Sequence, residues 1–199
     1  MKTFIFGMGD QSRYVKEILQ LRGHANIVTT LWPTDETISE EDCGIIAIGD
    51  NFSRAKVHKL ITEKYPNFRF IYAVHPSCIG NDEIMLPPGM VAMAGCIFNI
   101  GAKIGAFTFF ATGAQIEHDC EIGDYASVSA GSVLGGHVKV EEFAAVTLGC
   151  TVFDRVTIGR NSVVGSGSLV TKDVLPNSLV YGSPAKYVRH RSLGERFLK

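Results

Sequence analysis

The sequence predicts a small α/β domain followed by a solenoid of short parallel strands, and two observations support this fold class. First, an apolar or small residue returns at every sixth position between Leu86 and Val170, fifteen times without a slip. Second, short apolar strands alternate with helical stretches in the N-terminal segment. A period of six fits neither a helix at about 3.6 nor a strand at 2, and self-similarity at a fixed period is typical of solenoids.

The fifteen repeat positions are expected to point into the core of the solenoid. They are Leu86, Ala92, Phe98, Ile104, Phe110, Ile116, Ile122, Val128, Leu134, Val140, Val146, Val152, Ile158, Val164 and Val170. Residues four positions further on are mostly small, and glycine often follows the apolar residue directly. The repeat by itself specifies an architecture and no chemistry.

Composition and charge exclude several classes of protein. The 199 residues are 46% apolar and 20% charged, which is ordinary for a globular chain, and the net charge of -1 argues against a nucleic-acid-binding surface. No apolar run of about 18 residues could cross a membrane. The N-terminus, Met1 to Phe6, has no signal-peptide pattern, and five cysteines without CxxC spacing predict free thiols. These features predict a cytoplasmic protein.

The first strand of the N-terminal domain is predicted at Thr3–Phe6. The segment 7–12 is a glycine turn, and an amphipathic helix is predicted from Arg13 to Leu21, before a second strand from Ile27 to Leu31. A strand, a glycine turn and a helix open a nucleotide-binding βαβ unit, in which backbone N–H groups face a phosphate or another polar ligand. The turn reads GxGxxS, and no clear acidic residue ends the second strand, so this signal alone is weak.

A second strand-to-helix turn follows the same plan. A strand from Gly44 to Ile48 leads into a polar turn, a helix is predicted from Ser53 to Tyr65, and a fourth strand runs from Phe68 to Val74. A Rossmann-like parallel sheet would place its ligand at the carboxyl ends of the strands. The predicted substrate-binding residues are therefore Gly7, Gly9, Asp10, Gln11, Gly49, Asp50 and Asn51. The alternative, that these glycines only make tight turns, stays open.

Three domains are expected from these patterns: residues 1–76 as the α/β domain, 77–182 as the solenoid, and 183–199 as a basic C-terminal tail. A turn-rich segment at Leu86–Gly89 would cap the exposed first end of the stack. The tail is predicted to form a helix ending at Phe197. Such a basic run is usually a solvated helix face, and its position after the solenoid also makes Lys186 a candidate for meeting an anionic cofactor.

Catalytic chemistry is predicted at His118. This residue lies two positions beyond the inward-pointing Ile116, near a corner of the coil, and Asp119 beside it supplies a carboxylate. An imidazole next to a carboxylate can act as a general base near neutral pH. Residues 18 apart lie on successive coils about 4.8 Å apart, so Gly136 should stack on His118 and His137 on Asp119. His137 is then either a second ligand contact or a competitor for the carboxylate.

The chain resembles a family of bacterial sugar O- and N-acetyltransferases with left-handed β-helices built from hexapeptide repeats. The family includes sialic-acid O-acetyltransferases and the enzymes that acetylate UDP-linked 4-amino-dideoxy sugars, as in bacillosamine synthesis. The segments that carry the resemblance are the strand, glycine turn and helix at the N-terminus, Ile46–Asn51, His75–Pro76, Glu117–Cys120 and Gly182–Lys186. Together they extend over nearly the whole chain.

This resemblance implies a homotrimer that uses acetyl-CoA and binds a nucleotide-linked amino sugar with its N-terminal domain. It assigns His118 as the general base, Asp119 as the carboxylate that tunes it, and the amide of Gly136 as an oxyanion donor. Acetyl-CoA would lie in the groove between adjacent β-helices. The predicted cofactor-binding residues are Ser127, Gly136, His137, Leu148, Ser166 and Lys186.

The sequence also departs from the family pattern. Asp10 and Gln11 stand where relatives commonly have a Gly-His pair, the segment Thr29–Trp32 stands in place of an acidic pair, and Ser127 stands where some members have a histidine at the cofactor. Gln11 can still hydrogen-bond a sugar or phosphate, and Trp32 could stack on a base. The identity of the sugar and nucleotide is left open by these differences.

The predicted activity is N-acetylation of an amino group, most simply at C4, of a nucleotide-linked amino-dideoxy sugar in glycan biosynthesis. O-acetylation of a sialic acid or other sugar is the main alternative, because a histidine base serves an alcohol as readily as an amine. A non-catalytic β-helix subunit is the alternative of another class. No metal is expected: a carbonic anhydrase of the γ type needs a second histidine five residues after His118, where this chain has Gly123.

Overall fold

The computed structural model describes residues 1–31, 38–80 and 86–197. It shows an N-terminal parallel sheet docked on one face of a long three-sided prism. The stacking role predicted for Trp32 lies outside the described residues. No helix in the described part of the chain has the length and apolar character needed to cross a membrane.

The N-terminal unit is a four-stranded parallel sheet with the order β2-β1-β3-β4. Its elements are β1 (Thr3–Phe6), α1 (Asp10–Leu21), β2 (Ile27–Thr30), β3 (Cys43–Ile46), α2 (Asn51–Lys64) and β4 (Arg69–Phe70). The central strands β1 and β3 are buried along their whole length, as their continuous apolar runs predict. Two helices accompany this sheet among the described residues, so the predicted Rossmann-like character of the domain is not confirmed.

The fourth predicted strand, Phe68–Val74, is broken in two. Its first part is β4 in the N-terminal sheet, whereas Ala73–Val74 forms β5, which pairs with Val91–Ala92 in the prism. The chain therefore passes from one unit to the other around residues 71–72. The domain boundary predicted at residue 76 falls inside the first coil of the prism.

The prism is a left-handed parallel β-helix built from two-residue strands, and a hairpin of two longer strands ends it. The strands are β5 (Ala73–Val74), β6 (Ile79–Gly80), β7 (Val91–Ala92), β8 (Ile97–Phe98), β9 (Lys103–Ile104), β10 (Phe109–Phe110), β11 (Gln115–Ile116), β12 (Glu121–Ile122), β13 (Ser127–Val128), β14 (Val133–Leu134), β15 (Lys139–Val140), β16 (Ala145–Val146), β17 (Thr151–Val152), β18 (Thr157–Ile158), β19 (Val163–Val164), β20 (Leu169–Val170), β21 (Ser178–Gly182) and β22 (Ala185–His190).

These strands form three faces. The first face has the order β22-β21-β19-β16-β13-β10-β7-β5, the second face β20-β17-β14-β11-β8-β6, and the third face β18-β15-β12-β9. Neighbouring strands in the regular part of the stack pair in parallel with residues 18 apart, for example Gln115 with Val133. The predicted coil of three hexapeptides is confirmed by this register.

The core of the prism consists of the repeat positions and the small residues four positions after them. From Ala92 onward the repeat residues are buried, except Ile104, which is only partly buried. The first repeat position, Leu86, is 37% exposed, so its predicted place in the core is wrong. It lies before β9, the first strand that the third face has among the described residues.

Each coil turns at three corners, and as far as residue 167 the third residue after each inward-pointing residue has a positive φ. The glycine corner, between the first and second faces, has Gly95, Gly113, Gly131, Gly149 and Gly167 at this position. The histidine corner, between the second and third faces, has Gly101, Asp119, His137 and Arg155. The aromatic corner, between the third and first faces, has Phe107, Tyr125, Phe143 and Asn161.

Arg54 joins the N-terminal unit to the aromatic corner. Its side chain is fully buried, and its guanidinium donates to the carbonyl oxygens of Phe107 at 2.7 Å, Tyr125 at 2.8 Å and Ile48 at 2.8 Å. Burial lowers the pKa of Arg54 to about 9, so the group is still charged at neutral pH. These contacts fasten α2 to the prism through several backbone acceptors at once.

The C-terminal segment is a hairpin, so the helix predicted up to Phe197 is wrong. β21 lies beside β19 in the first face, and β22 pairs with β21 in antiparallel fashion. Glu195 then contacts Arg189 and Arg191, which closes the segment onto itself. The edge of β21 offers backbone partners that a solvated helix would not use, and this tertiary pairing overrides the local helical pattern.

Candidate active site

The predicted base and its carboxylate lie together in the turn between β11 and β12. Nδ1 of His118 is 2.9 Å from Oδ2 of Asp119. An ionised carboxylate only accepts hydrogen bonds, so Nδ1 carries the ring hydrogen and Nε2 keeps its lone pair. The hydrogen bond from His118 holds the pKa of Asp119 below its usual value. Both side chains are about half exposed, which leaves the imidazole accessible to a substrate.

Gly136 stacks on His118, as the spacing of 18 residues predicts. A Cβ atom at position 136 would lie 2.5 Å from Nε2 of His118, far inside van der Waals contact. The amide of Gly136 donates to Oδ1 of Asp154 at 2.9 Å. Its single hydrogen is thus already used, and the geometry does not support the predicted oxyanion donor. The absence of a side chain at this position leaves room for the base.

His137 occupies the next level of the same corner. Its backbone N–H donates to the carbonyl oxygen of His118 at 2.9 Å, and its Nε2 is 3.7 Å from Oδ2 of Asp119. The two imidazole rings meet edge to face, with centroids 5.1 Å apart. Asp119 is therefore shared between two histidines, as the stacking predicts.

The residues predicted to line the cofactor groove are not brought together in a single chain. Ser127 is only 2% exposed and donates to Oδ1 of Asn51 at 2.5 Å, under the N-terminal unit. This burial keeps the Ser127 side chain away from solvent, and its contact with the cofactor stays a prediction. Leu148 and Ser166 are exposed beside the glycine corner, at the opposite edge of the second face from His118. Lys186 is exposed on β22.

Part of the predicted substrate site assembles at the carboxyl ends of β1 and β3. A Cβ at Gly7 would lie 2.6 Å from the carbonyl oxygen of Ala47, and a Cβ at Gly49 would lie 2.1 Å from Nε2 of Gln11. Nothing lies within 4 Å of such an atom at Gly9. The two glycine turns and Gln11 are thus adjacent, as expected for parallel strands. Asp10 is exposed at the first turn of α1.

Asp50 and Asn51 both have structural roles, and their contacts with a substrate stay predictions. Asp50 is buried and accepts the N–H of Ser53 at 2.9 Å, which caps α2. Asn51 is also buried, and its Nδ2 donates to the carbonyl oxygens of Phe143 at 3.0 Å and Ala144 at 3.1 Å. The second strand-to-helix turn therefore holds the two units together.

Two residues of this region were not predicted from the sequence. Asp154 lies 18 residues after Gly136 and could have been found by the same stacking rule that paired Gly136 with His118. Arg54 has no such signal, since an arginine in the first turn of a helix is usually solvated. Its burial follows only from the docking of α2 on the prism.

Comparisons with known proteins place this arrangement among acyltransferases. The bacterial transferase hexapeptide family (six repeats) matches residues 101–136, which include His118, Asp119 and Gly136. A GDP-perosamine N-acetyltransferase from Caulobacter crescentus, solved with CoA and GDP-perosamine, is 29% identical, with a TM-score of 0.85 over 95% of this chain and 97% of its own. The resemblance seen in the sequence is confirmed.

Further relatives agree on the class of enzyme. A putative serine acetyltransferase from Schizosaccharomyces pombe is 29% identical over 67% of this chain and 44% of its own length. An acyl-[acyl-carrier-protein]–UDP-N-acetylglucosamine O-acyltransferase from Agrobacterium fabrum is 33% identical over 52% of this chain and 38% of its own. The chain spans less than half the length of these curated relatives. The acetyltransferase domain of PglB from Neisseria gonorrhoeae, 21% identical with a TM-score of 0.88 over 94% of this chain and 99% of its own, shows the same fold.

Proposed function

We propose that this chain transfers an acetyl group from acetyl-CoA to an amino group, at C4, of a nucleotide-linked amino-dideoxy sugar. One observation carries the proposal: the His118–Asp119 pair is held at 2.9 Å with Nε2 free, in a chain that matches a sugar-nucleotide N-acetyltransferase over 95% of its length. The pair supplies a base, and the relatives supply the class of reaction.

The geometry supports a direct transfer without an acyl-enzyme intermediate. The neutral sugar amine attacks the thioester carbonyl, a C–N bond forms, and Nε2 of His118 accepts the proton of the amine. The tetrahedral intermediate then expels CoA as the thiolate, which breaks the C–S bond. Asp119 stabilises the imidazolium formed in this step, because its carboxylate lies against Nδ1.

The cofactor would lie along the second face. This face joins the histidine corner to the exposed Leu148 and Ser166, and apolar side chains such as Ile97 and Val133 point outward along it. A second copy of the chain packed near this face would form a groove for acetyl-CoA, and the homotrimer that the resemblance implies would repeat this groove by closed rotational symmetry. Lys186 remains a proposed contact for the phosphates of CoA.

The sugar nucleotide would bind at the glycine turns of the N-terminal unit. The first-turn N–H groups of α1 have no side-chain cap, and Gly9 and Gln11 border open space at the edge of the sheet. Such a turn favours an anionic phosphate. Asp50 and Asn51 are left out of this site because of their buried contacts.

A sugar hydroxyl is the second candidate acceptor. The similarity to an acyl-[acyl-carrier-protein]–UDP-N-acetylglucosamine O-acyltransferase, 33% identical over 104 residues, favours it. A histidine base accepts a proton from an alcohol by the same geometry.

A thiol-release assay with acetyl-CoA tests the proposal. The acceptors are UDP-, dTDP- and GDP-linked 4-amino-4,6-dideoxy sugars, a nucleotide-linked 3-amino sugar, and free and CMP-linked sialic acid. Turnover with a 4-amino sugar nucleotide supports N-acetylation and identifies the nucleotide. Turnover only with a sialic acid moves the assignment to O-acetylation. Silence across the panel, together with no binding of CoA, contradicts an enzymatic role.

A further inference from the structure

The side chains of the histidine corner also form a cluster with the geometry of a metal site. Nδ1 of His118, a carboxylate oxygen of Asp119 and a ring nitrogen of His137 lie within 4.8 Å of one another. The two distances to Oδ2 of Asp119 are 2.9 Å from His118 and 3.7 Å from His137. The three side chains are 50%, 52% and 40% exposed, so an ion from solvent can reach them.

The donor set selects a class of ion. Two imidazoles and one carboxylate suit zinc and neighbouring divalent transition metals, whereas magnesium and calcium prefer oxygen ligands. Ligand atoms around tetrahedral zinc are about 3.3 Å apart, given metal–ligand bonds of about 2.0–2.1 Å. The observed distances of 2.9 and 3.7 Å lie on either side of this value. Small side-chain rotations would therefore bring each ring nitrogen to a zinc-like separation from Oδ2 of Asp119, and water would take the remaining position on the ion.

The backbone already holds the three ligands in place. Asp119 and His137 occupy equivalent positive-φ positions on successive coils, and the N–H of His137 bonds the carbonyl oxygen of His118. Gly101 completes the column below Asp119, where a Cβ would lie 2.5 Å from Oδ1. His137 follows His118 by nineteen residues, so the set is formed by stacking of coils and not by a short spacing along the chain.

We propose that this cluster binds one divalent ion of the zinc class per chain and that the bound ion blocks acetyl transfer. The active tautomer has its hydrogen on Nδ1 and its lone pair on Nε2. A metal on Nδ1 forces that hydrogen to Nε2, where the lone pair needed to accept the substrate proton is then lost. The blocking effect rests on the proposed function, whereas binding of the ion does not.

Binding is tested by titrating the metal-free, untagged full chain with Co2+ and following its d–d absorption, with Zn2+ as competitor. We expect one equivalent per chain in the wild type. Loss of an outer partner of a metal ligand costs about 10- to 100-fold in affinity, so His137→Ala should weaken binding by at least about 10-fold. His190→Ala removes an exposed histidine of β22 and should bind as the wild type does. Equal affinity in His137→Ala, or no saturable binding by the wild type, overturns the site.

Inhibition is tested by measuring acetyl-CoA consumption chromatographically, since zinc binds the released thiol. Each variant is compared with and without Zn2+, and His137→Ala should need at least about 10-fold more Zn2+ for half inhibition. Equal sensitivity of the wild type and this variant contradicts the blocking effect. Metal binding without turnover on any acceptor would contradict the proposed function and leave the site standing. Turnover without metal binding would support the proposed function and contradict the metal site. Far-UV circular dichroism confirms that each variant is folded.

Discussion

The glycine corner and the histidine corner have the same backbone and opposite compositions. Both need a positive φ at the third residue after each inward-pointing residue, and the glycine corner meets this need with glycine on five coils. At the histidine corner Asp119, His137 and Arg155 adopt the same conformation. A residue other than glycine in this region costs about 1 kcal/mol or more.

The difference between the two corners shows where backbone strain accompanies side chains that glycine could not supply. Glycine would satisfy the backbone at these positions. The conformational strain at Asp119 and His137 is therefore not required by the repeat. Strained positions of this kind cluster at functional sites, where surrounding structure holds them. The aromatic corner is the third case: Phe107, Tyr125 and Phe143 stack there with ring centroids 5.4 and 5.0 Å apart beneath the N-terminal unit.

The largest expected effect is a loss of activity when the histidine of the histidine corner is removed. His118→Ala should lower kcat by about 100- to 10,000-fold, because it removes the proposed base. The melting temperature should stay close to that of the wild type, since the side chain is half exposed. Steady-state kinetics with the acceptor found in the panel measures the effect, with His190→Ala as control. A variant that keeps a near-wild-type rate would remove His118 from the mechanism.

A pair of glycine substitutions compares the corners directly. Gly136→Ala would place a methyl group 2.5 Å from Nε2 of His118 and displace the ring. A displacement of about 1 Å can cost about 100-fold in rate, so we expect a loss of that order. Gly131→Ala has open space around its Cβ but a φ of +66°. It should lower the melting temperature by about 2–4 °C with no effect on kcat.

This comparison fails if both substitutions change the same quantity. Loss of activity in Gly131→Ala would mean that the glycine corner takes part in catalysis. An unchanged rate in Gly136→Ala would mean that the ring of His118 needs no space at that level of the stack.

Asp119→Gly should change stability and activity in opposite directions. Glycine relieves the positive φ of 56°, so the free energy of unfolding should rise by up to about 1 kcal/mol. The rate should fall, because Nδ1 of His118 loses its carboxylate partner. Thermal unfolding and kcat on the same preparation measure both quantities. A variant that is less stable than the wild type would show that the contacts of Asp119 with His118 and His137 outweigh the strain at this corner.

The smallest effect is a dependence of stability on pH. The pKa of Asp119 is lowered in the folded chain, chiefly by the hydrogen bond from His118, so its contribution to stability is present above its unfolded pKa of about 3.9. That contribution is lost as the pH falls through the lower folded pKa. The stability difference between the wild type and Asp119→Asn should therefore be present at pH 5 and shrink below about pH 4. The cost of Gly131→Ala should not change over this range.

The regular part of the molecule could be predicted because its information is local. Each hexapeptide has the same pattern of one apolar, inward-pointing residue. The spacing of 18 residues then fixes which residues stack, including Gly136 on His118. The repeat does not determine how the N-terminal unit packs on the prism. Ser127 and Asn51 were assigned to ligands because their positions along the chain suit a ligand, whereas docking of α2 buries both.

The helix predicted for the C-terminal segment was wrong for a related reason. A short basic segment satisfies a helical pattern as well as an edge strand, and only the free edge of β21 decides between them. The strand predicted at Phe68–Val74 shows the same limit, since its apolar run continues across a change of sheet.

The buried guanidinium of Arg54 has a consequence for how the chain unfolds. Separating the N-terminal unit from the prism would break the hydrogen bonds from Arg54 to the carbonyl oxygens of Phe107 and Tyr125 and would expose the apolar side chains that the two units bury against each other. Exposing apolar surface to water costs about 25 cal/mol per Å², so partial opening along this boundary is disfavoured. The two units should therefore melt in one cooperative transition, and the isolated prism should not be a stable truncation product.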